Sequence, residues 1–187
     1  MKNIAVFASG NGTNAHQIMR YFAGDSKVKI RLVVTNNEKA AILNKCKQEG
    51  VPCFVFPKDN FVTPDALITF LIQNNIDYIV LAGFLLQIPR ALIKEFPKKI
   101  INIHPALLPK FGGKGMYGSN VHKAVMEAGE KETGITIHYV NEQYDKGEII
   151  LQQKCAIAPE DTVESVALKV QQLEHEYYPE TLNNIIK

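Results

Sequence analysis

At 187 residues, 46% of them hydrophobic, the chain is long enough for one domain, spanning 1–187, with a sizeable core. Its 21 Lys and Arg against 19 Asp and Glu leave a net charge of +2, a balance with no nucleic-acid or membrane footprint. A local patch for a phosphate remains compatible with it.

Asn3 to Ala8 reads as a first strand, since Ile4-Ala5-Val6-Phe7-Ala8 is too short for a signal h-region. The turn Ser9-Gly10-Asn11-Gly12-Thr13-Asn14 follows, then a helix with Ile18, Met19 and Phe22 at helical spacing, closed by Gly24. Val28 to Thr35 is the next strand. Lys39 to Glu49 is a helix stopped by Gly50, with a charged, solvated face, and Cys53 to Phe56 is a short strand. Thr63-Pro64-Asp65 predicts a helix start, with Thr63 as N-cap and Pro64 at the first helical position, running to about Asn74. Tyr78 to Ala82 is a continuous apolar strand. The run it opens, to Leu86, contains a glycine and is far short of the ~20 residues that span a bilayer. Pro89 to Phe96 is a short helix and Ile100 to His104 a buried strand. Beyond it lie the loop Pro105 to Ser119, a helix from Asn120 to Ala128, and strands at Thr136 to Val140 and Ile149 to Lys154. A C-terminal helix from Thr162 to about Tyr177 is expected to break at Pro179 and leave a final turn or two to Ile186. The alternation of strand and helix predicts a three-layer α/β/α fold. Its twisted sheet is mostly parallel, Rossmann-like in the N-terminal half, with an antiparallel excursion near the C-terminal end.

Asn102-Ile103-His104-Pro105 closes the strand at 100–104 and is answered about forty residues later by Asp145-Lys146-Gly147. Residues i and i+2 of a strand share a face, so Asn102 and His104 address one pocket, and Pro105 then forces the chain out of the sheet. An amide donor beside a titratable donor suits a site where negative charge develops on a carbonyl oxygen, and Asp145 could tune the imidazole. The pattern reads as acyl-type transfer. The alternative is a turn-forming Asn, a hydrogen-bonded core His and an ordinary Asp-Lys-Gly turn.

The turn after the first strand places backbone N–H groups at a helix N-terminus, a natural phosphate site. Gly10 and Gly12 permit close approach, and Thr13 and Asn14 offer capping oxygens. It is neither a dinucleotide fingerprint, because Ala15 stands at the third glycine and Thr35-Asn36-Asn37 ends the second strand without an acid, nor a Walker loop. The other reading of Asn11-Gly12 is a plain hairpin turn.

These segments, with Leu81-Ala82-Gly83-Phe84, Ala106-Leu107-Leu108-Pro109, Gly134-Ile135-Thr136-Ile137-His138 and Leu173-Glu174-His175-Glu176-Tyr177-Tyr178-Pro179, resemble the folate-dependent formyltransferase family in order and spacing over essentially the whole chain. The Gly-Asn-Gly-Thr-Asn turn narrows the resemblance to the branch that formylates phosphoribosylglycinamide in purine synthesis. The resemblance implies the formyltransferase fold and a phosphate on Gly12, Thr13 and Asn14. It also implies ribose hydroxyls on Glu174 with Gln171 nearby, and 10-formyltetrahydrofolate along Leu85, Leu86, Gln87 and Ile88, Asn102, and the loop from Val140 to Asp145. Asn102, His104 and Asp145 would be catalytic. Leu86 stands where the family often has a basic residue, which removes a polar contact for the folate tail. The loop Phe111 to Gly118 is unusually rich in glycine, and Lys110 and Lys114 have no assigned ligand, although either could approach a phosphate.

The expected partners are small molecules only, with no nucleic acid and no membrane, and a monomer or homodimer. The five histidines show no H-x-x-x-H spacing, so no metal is expected. Cys46, Cys53 and Cys155 form no C-x-x-C pair and read as free thiols in a reducing cytoplasm. His138, two positions before Val140, could face the same cleft but is expected to be a satisfied structural histidine; His16 and His122 are expected at the surface or behind the site, and His175 is unassigned. The rivals are a related folate formyltransferase, a formyl-folate hydrolase, or a non-catalytic phosphosugar binder. A tRNA-acting relative would be expected to carry an extra C-terminal domain and a hydrolase an N-terminal one, for which 187 residues leave no room.

Overall fold

The first strand, β1 (Lys2–Phe7), is apolar on both sides, and its residues divide between two cores. Ile4 and Val6 face one, Ala5 and Phe7 the other, all fully buried. A strand buried on both faces must be covered twice. The computed structural model describes residues 1–187 and meets that demand with helices on each side of one sheet.

After β1 come α1 (Thr13–Tyr21), β2 (Val28–Thr35), α2 (Ile42–Glu49), β3 (Cys53–Val55), a 3-10 turn (Lys58–Phe61), α3 (Asp65–Gln73), β4 (Tyr78–Leu81), α4 (Arg90–Glu95) and β5 (Ile100–His104). Then follow α5 (Ser119–Glu127), β6 (Glu132–Tyr139), β7 (Ile149–Ala156) and α6 (Val163–Ile186). The seven-stranded sheet has the order β3-β2-β1-β4-β5-β6-β7. β1 to β5 pair in parallel, while β5–β6 and β6–β7 are antiparallel. Helices α1, α2 and α6 bury Ile18, Ile42 and Val170 on one face; α3 and α4 bury Leu67, Leu71 and Leu92 on the other. The chain walks outward from β1 to β3 and then returns to lay β4 on the other side of β1. That reversal opens a crevice at the carboxyl ends of β1 and β4, where open α/β sheets bind ligands. No helix is long and apolar enough to cross a membrane.

Four expectations need correction. Helix α2 starts at Ile42, not Lys39, because Asn37 takes the amides of Lys39 and Ala40 on its side-chain and main-chain oxygens. Thr63 does not cap α3; its hydroxyl donates to the Asp59 carbonyl, and Pro64 occupies the cap position. β6 begins at Glu132, four residues before Thr136, because the Gly134 main chain comes so close to the Gln153 carbonyl that a Cβ would overlap it. α6 runs unbroken through Pro179. A proline inside a helix costs about 3 kcal/mol. Here Val166 and Val170 before it and Leu182 and Ile186 after it are all buried, and the Tyr178 hydroxyl donates to the Leu81 and Ile101 carbonyls at 2.9 and 3.1 Å. Packing on both sides of the break outweighs the lost hydrogen bond.

Candidate active site

Ser9, two residues past the end of β1, ties the crevice together. Its amide donates to the Gly83 carbonyl (3.1 Å), its hydroxyl donates to Asn36 Oδ1 (2.6 Å), and Ser9 Oγ itself accepts from the Leu85 amide (2.9 Å). The turn after β1 and the 83–88 segment after β4 are thereby fixed on opposite lips. Gly12 caps α1 with φ +63°, and a Cβ there would strike the Ile42 side chain, so the turn is glycine by necessity. The expected side-chain caps are absent: α1 has no capping side chain, and Asn14 Oδ1 is buried with no partner in the protein. The first amides of α1 therefore stay free for an anion.

β5 carries Asn102 and His104 to the same crevice, with His104 3% exposed. Across the antiparallel pair, His138 lies opposite Asn102 and Thr136 opposite His104. The Thr136 hydroxyl donates to the Ala106 carbonyl (2.7 Å) and accepts the Leu108 amide (3.0 Å), which pins the chain as it leaves the sheet at Pro105. His138 Nδ1 sits 3.0 Å from the Tyr139 carbonyl, which can only accept, so that nitrogen carries a proton. Its Nε2 then accepts from the Asn102 amide at 3.1 Å, and one Asn102 N–H is left for the cleft.

Asp145 comes from the turn between β6 and β7, at φ +54°. Its Oδ2 accepts the Gly113 amide at 2.8 Å and lies 3.6 Å from His104 Nδ1; its Oδ1 lies 3.7 Å from His138 Nε2. Asn102, His104 and Asp145 thus meet, and His138, expected to be structural, sits among them. Burial alone would raise the Asp145 carboxyl, but His138, the Gly113 amide and His104 hold it below the usual carboxylate range. Burial pushes His104 below its ordinary value, against Asp145 and the Phe111 carbonyl, which pull it up. His104 Nε2–H donates to that carbonyl at 2.8 Å, so Nδ1 is the nitrogen free to take a proton. Two residues on, Gly147 lies so close to the Tyr139 carbonyl that a Cβ would overlap it. Gly147→Ala is expected to cost on the order of 3 kcal/mol and to displace Asp145. Tm and turnover should fall together; a wild-type Tm would mean the turn is slack.

The cleft has a volume of about 580 Å³, and Gly12, Thr13, Asn14, Leu85 to Ile88, Asn102, His104, Val140, Asp145 and Glu174 all line it. Gln171, a turn earlier on α6, does not. Burial pushes the Glu174 carboxyl up to about 7, against a lowering contact with Asn14. His122 also lines the cleft, buried, its Nδ1 without a partner, rather than at the surface or behind the site. The available signal was its place between Val121 and Val125, both buried on one helical stripe. His16 is bound to Glu49 at 2.7 Å, away from the cleft wall.

Residues 2–182 match the family described as formyl transferase. The chain is 42% identical over 190 residues to the chloroplastic phosphoribosylglycinamide formyltransferase of Arabidopsis thaliana, covering 98% of this chain and 65% of the relative. With a Vigna unguiculata relative of the same name at 60%, the chain spans less than two thirds of these plant proteins. It is 40% identical over 184 residues to the phosphoribosylglycinamide formyltransferase of Haemophilus influenzae, covering 96% of this chain and 84% of that one. The crystal structure of glycinamide ribonucleotide transformylase 1 from Geobacillus kaustophilus superposes with a TM-score of 0.91 at 34% identity, covering 100% of both chains.

Proposed function

The chain belongs to the formyl transferase family, and we propose that it transfers the formyl group of 10-formyltetrahydrofolate to the amine of phosphoribosylglycinamide in purine synthesis. The observation that carries this reading is the convergence of Asn102, His104 and Asp145 in the same cleft as a glycine turn with free helix amides.

The phosphate binds the amides of Gly12, Thr13 and Asn14, and Glu174 accepts from the ribose hydroxyls. The unpartnered Asn14 Oδ1 fits a ligand donor there. Leu85 to Ile88 and Val140 hold the flat ring of the formyl donor; Leu86 and Val140 rest on the core beneath them. When bound, that donor supplies an electrophilic formyl carbon and a nitrogen leaving group. Asp145, ionised, draws the proton that the attacking amine sheds and relays it toward the departing nitrogen. His104 Nδ1, 3.6 Å away, is free to share that proton. While Nδ1 holds the proton, its N–H and the free N–H of Asn102 face the oxygen on which charge develops, each donor worth ~2.7–4 kcal/mol. The proton then passes to the nitrogen of the formyl donor as its bond to the formyl carbon breaks and tetrahydrofolate leaves.

The test is incubation with phosphoribosylglycinamide and 10-formyltetrahydrofolate, following tetrahydrofolate release. Release only when the ribonucleotide is present supports the proposal. Release without it identifies a hydrolase, and none at all refutes both.

Glu174 adds a pH dependence. Its pKa, about 7 in the fold against 4.5 ordinarily, is raised. The stability it contributes is therefore present below about 4.5 and lost as pH rises through about 7. Glu174→Gln should melt roughly 5 °C above wild type at pH 8, converge with it at acid pH, and bind the ribonucleotide more weakly. Parallel melting curves at pH 4.5 and 8 decide the first point; equal offsets at both would refute it.

A further inference from the structure

The wall of the cleft is short of positive charge. It bears the carboxylates of Glu142, Asp145 and Glu174, and its one Lys or Arg is Lys114. The turn Gly10 to Asn14 has no charged side chain at all. A phosphate seated on it gains backbone hydrogen bonds and a helix dipole but no full counter-charge.

Lys114 is presented as if to supply one. It occupies the second position of the turn Gly113–Met116, closed by the Met116 amide on the Gly113 carbonyl at 3.1 Å. Gly113 and Gly115 on either side have φ of +102° and +90°, which residues with a Cβ resist, so the sequence writes this turn around the lysine. The loop is anchored below its tip: Phe111 and Met116 pack on Ala106, Val121 and Val125, and the Gly113 amide is held by Asp145. Lys110 is engaged by Glu130 at 2.7 Å, whereas no carboxylate holds Lys114. The loop leads into α5, which packs on α6, which packs on α1. It therefore enters the cleft from the layer that carries Glu174 and the Gly12 turn. The Leu85 to Ile88 strip sits over the opposite layer, with Leu86 and Ile88 on the core of α3 and α4.

We propose that Lys114 is the counter-charge for the phosphate of the ribonucleotide, a specificity residue carried over the Gly12 turn on a glycine-flanked loop. The inference rests on the ribonucleotide reading above. The rival anion is the glutamate tail of the formyl donor, and the experiment separates the two.

Lys114→Met is compared with Lys114→Arg and wild type. In calorimetry, ribose 5-phosphate should bind the Met variant roughly ten- to a hundredfold more weakly, and the Arg variant should recover most of the loss. In the transfer assay, the KM for the ribonucleotide should rise by the same factor, with kcat and the KM for the formyl donor unchanged. Unchanged ribose 5-phosphate binding overturns the proposal. So does a rise confined to the donor KM and steeper for a polyglutamylated than a monoglutamylated donor, which would assign Lys114 to the folate tail. Lys114-dependent ribose 5-phosphate binding in a protein that transfers no formyl group would support this inference while overturning the proposed reaction.

Discussion

His104→Ala is expected to lower kcat by roughly a hundred- to ten-thousandfold and to leave ribonucleotide binding nearly intact. The ring is buried, its Nε2–H is spent on the Phe111 carbonyl, and its Nδ1 faces Asp145, so its polar atoms are committed to the reacting centre and not to the Gly12 turn. Alanine removes both the proton acceptor and the later donor in one step. Single-turnover measurement with saturating ribonucleotide, beside calorimetric binding of the ribonucleotide alone, separates the two effects. A variant with near-normal turnover would strip His104 of its catalytic role. Equal losses in binding and turnover would point to a collapsed loop at Phe111 instead.

Replacement of Asp145 by Asn should be nearly as damaging, and its pH signature has a definite sign. The Asp145 carboxyl lies below the usual carboxylate range, so it is ionised throughout the neutral region, and its charge opposes the burial that depresses His104. The asparagine lacks that charge, so His104 becomes harder to protonate. The acidic limb of the kcat/KM profile should move to lower pH, and kcat should fall by roughly a hundredfold or more. The stability linked to Asp145 is present above the ordinary carboxylate value and lost as pH falls through its lower folded value, so the variant should be less acid-sensitive in its unfolding. A wild-type profile with wild-type kcat would reduce Asp145 to a turn residue.

Particular residues mark how far one-dimensional reasoning reaches. The strands Val28–Thr35 and Ile100–His104 were legible to the residue, because a strand buried on both faces is a short apolar run between turn formers. The Gly12 turn was legible as an anion site, yet Thr13 and Asn14 were misread as caps, because whether a side chain bonds its own helix or waits for a ligand depends on what packs around it. Pro179 was misread as a break for a related reason. Local propensity counts one lost hydrogen bond, while the Tyr178 hydroxyl is held by the Leu81 and Ile101 carbonyls, far away in the chain, and Leu182 is buried in the core.

Amino-acid order alone determined the alternation of strands and helices, the two-sided core, and the pair Asn102 and His104 on one face, since each follows from local periodicity. Tertiary structure alone decided that Asp145 stands 3.6 Å from His104, that His138 and His122 reach the same cleft, that Gln171 does not, and that Lys114 is its single permanent cation. The register of β6 on β5 places His138, the turn through Gly147 places Asp145, and the packing of α5 and α6 places His122, the loop that carries Lys114, and Gln171. Registers and helix packings join residues tens of positions apart, and no short-range pattern encodes them.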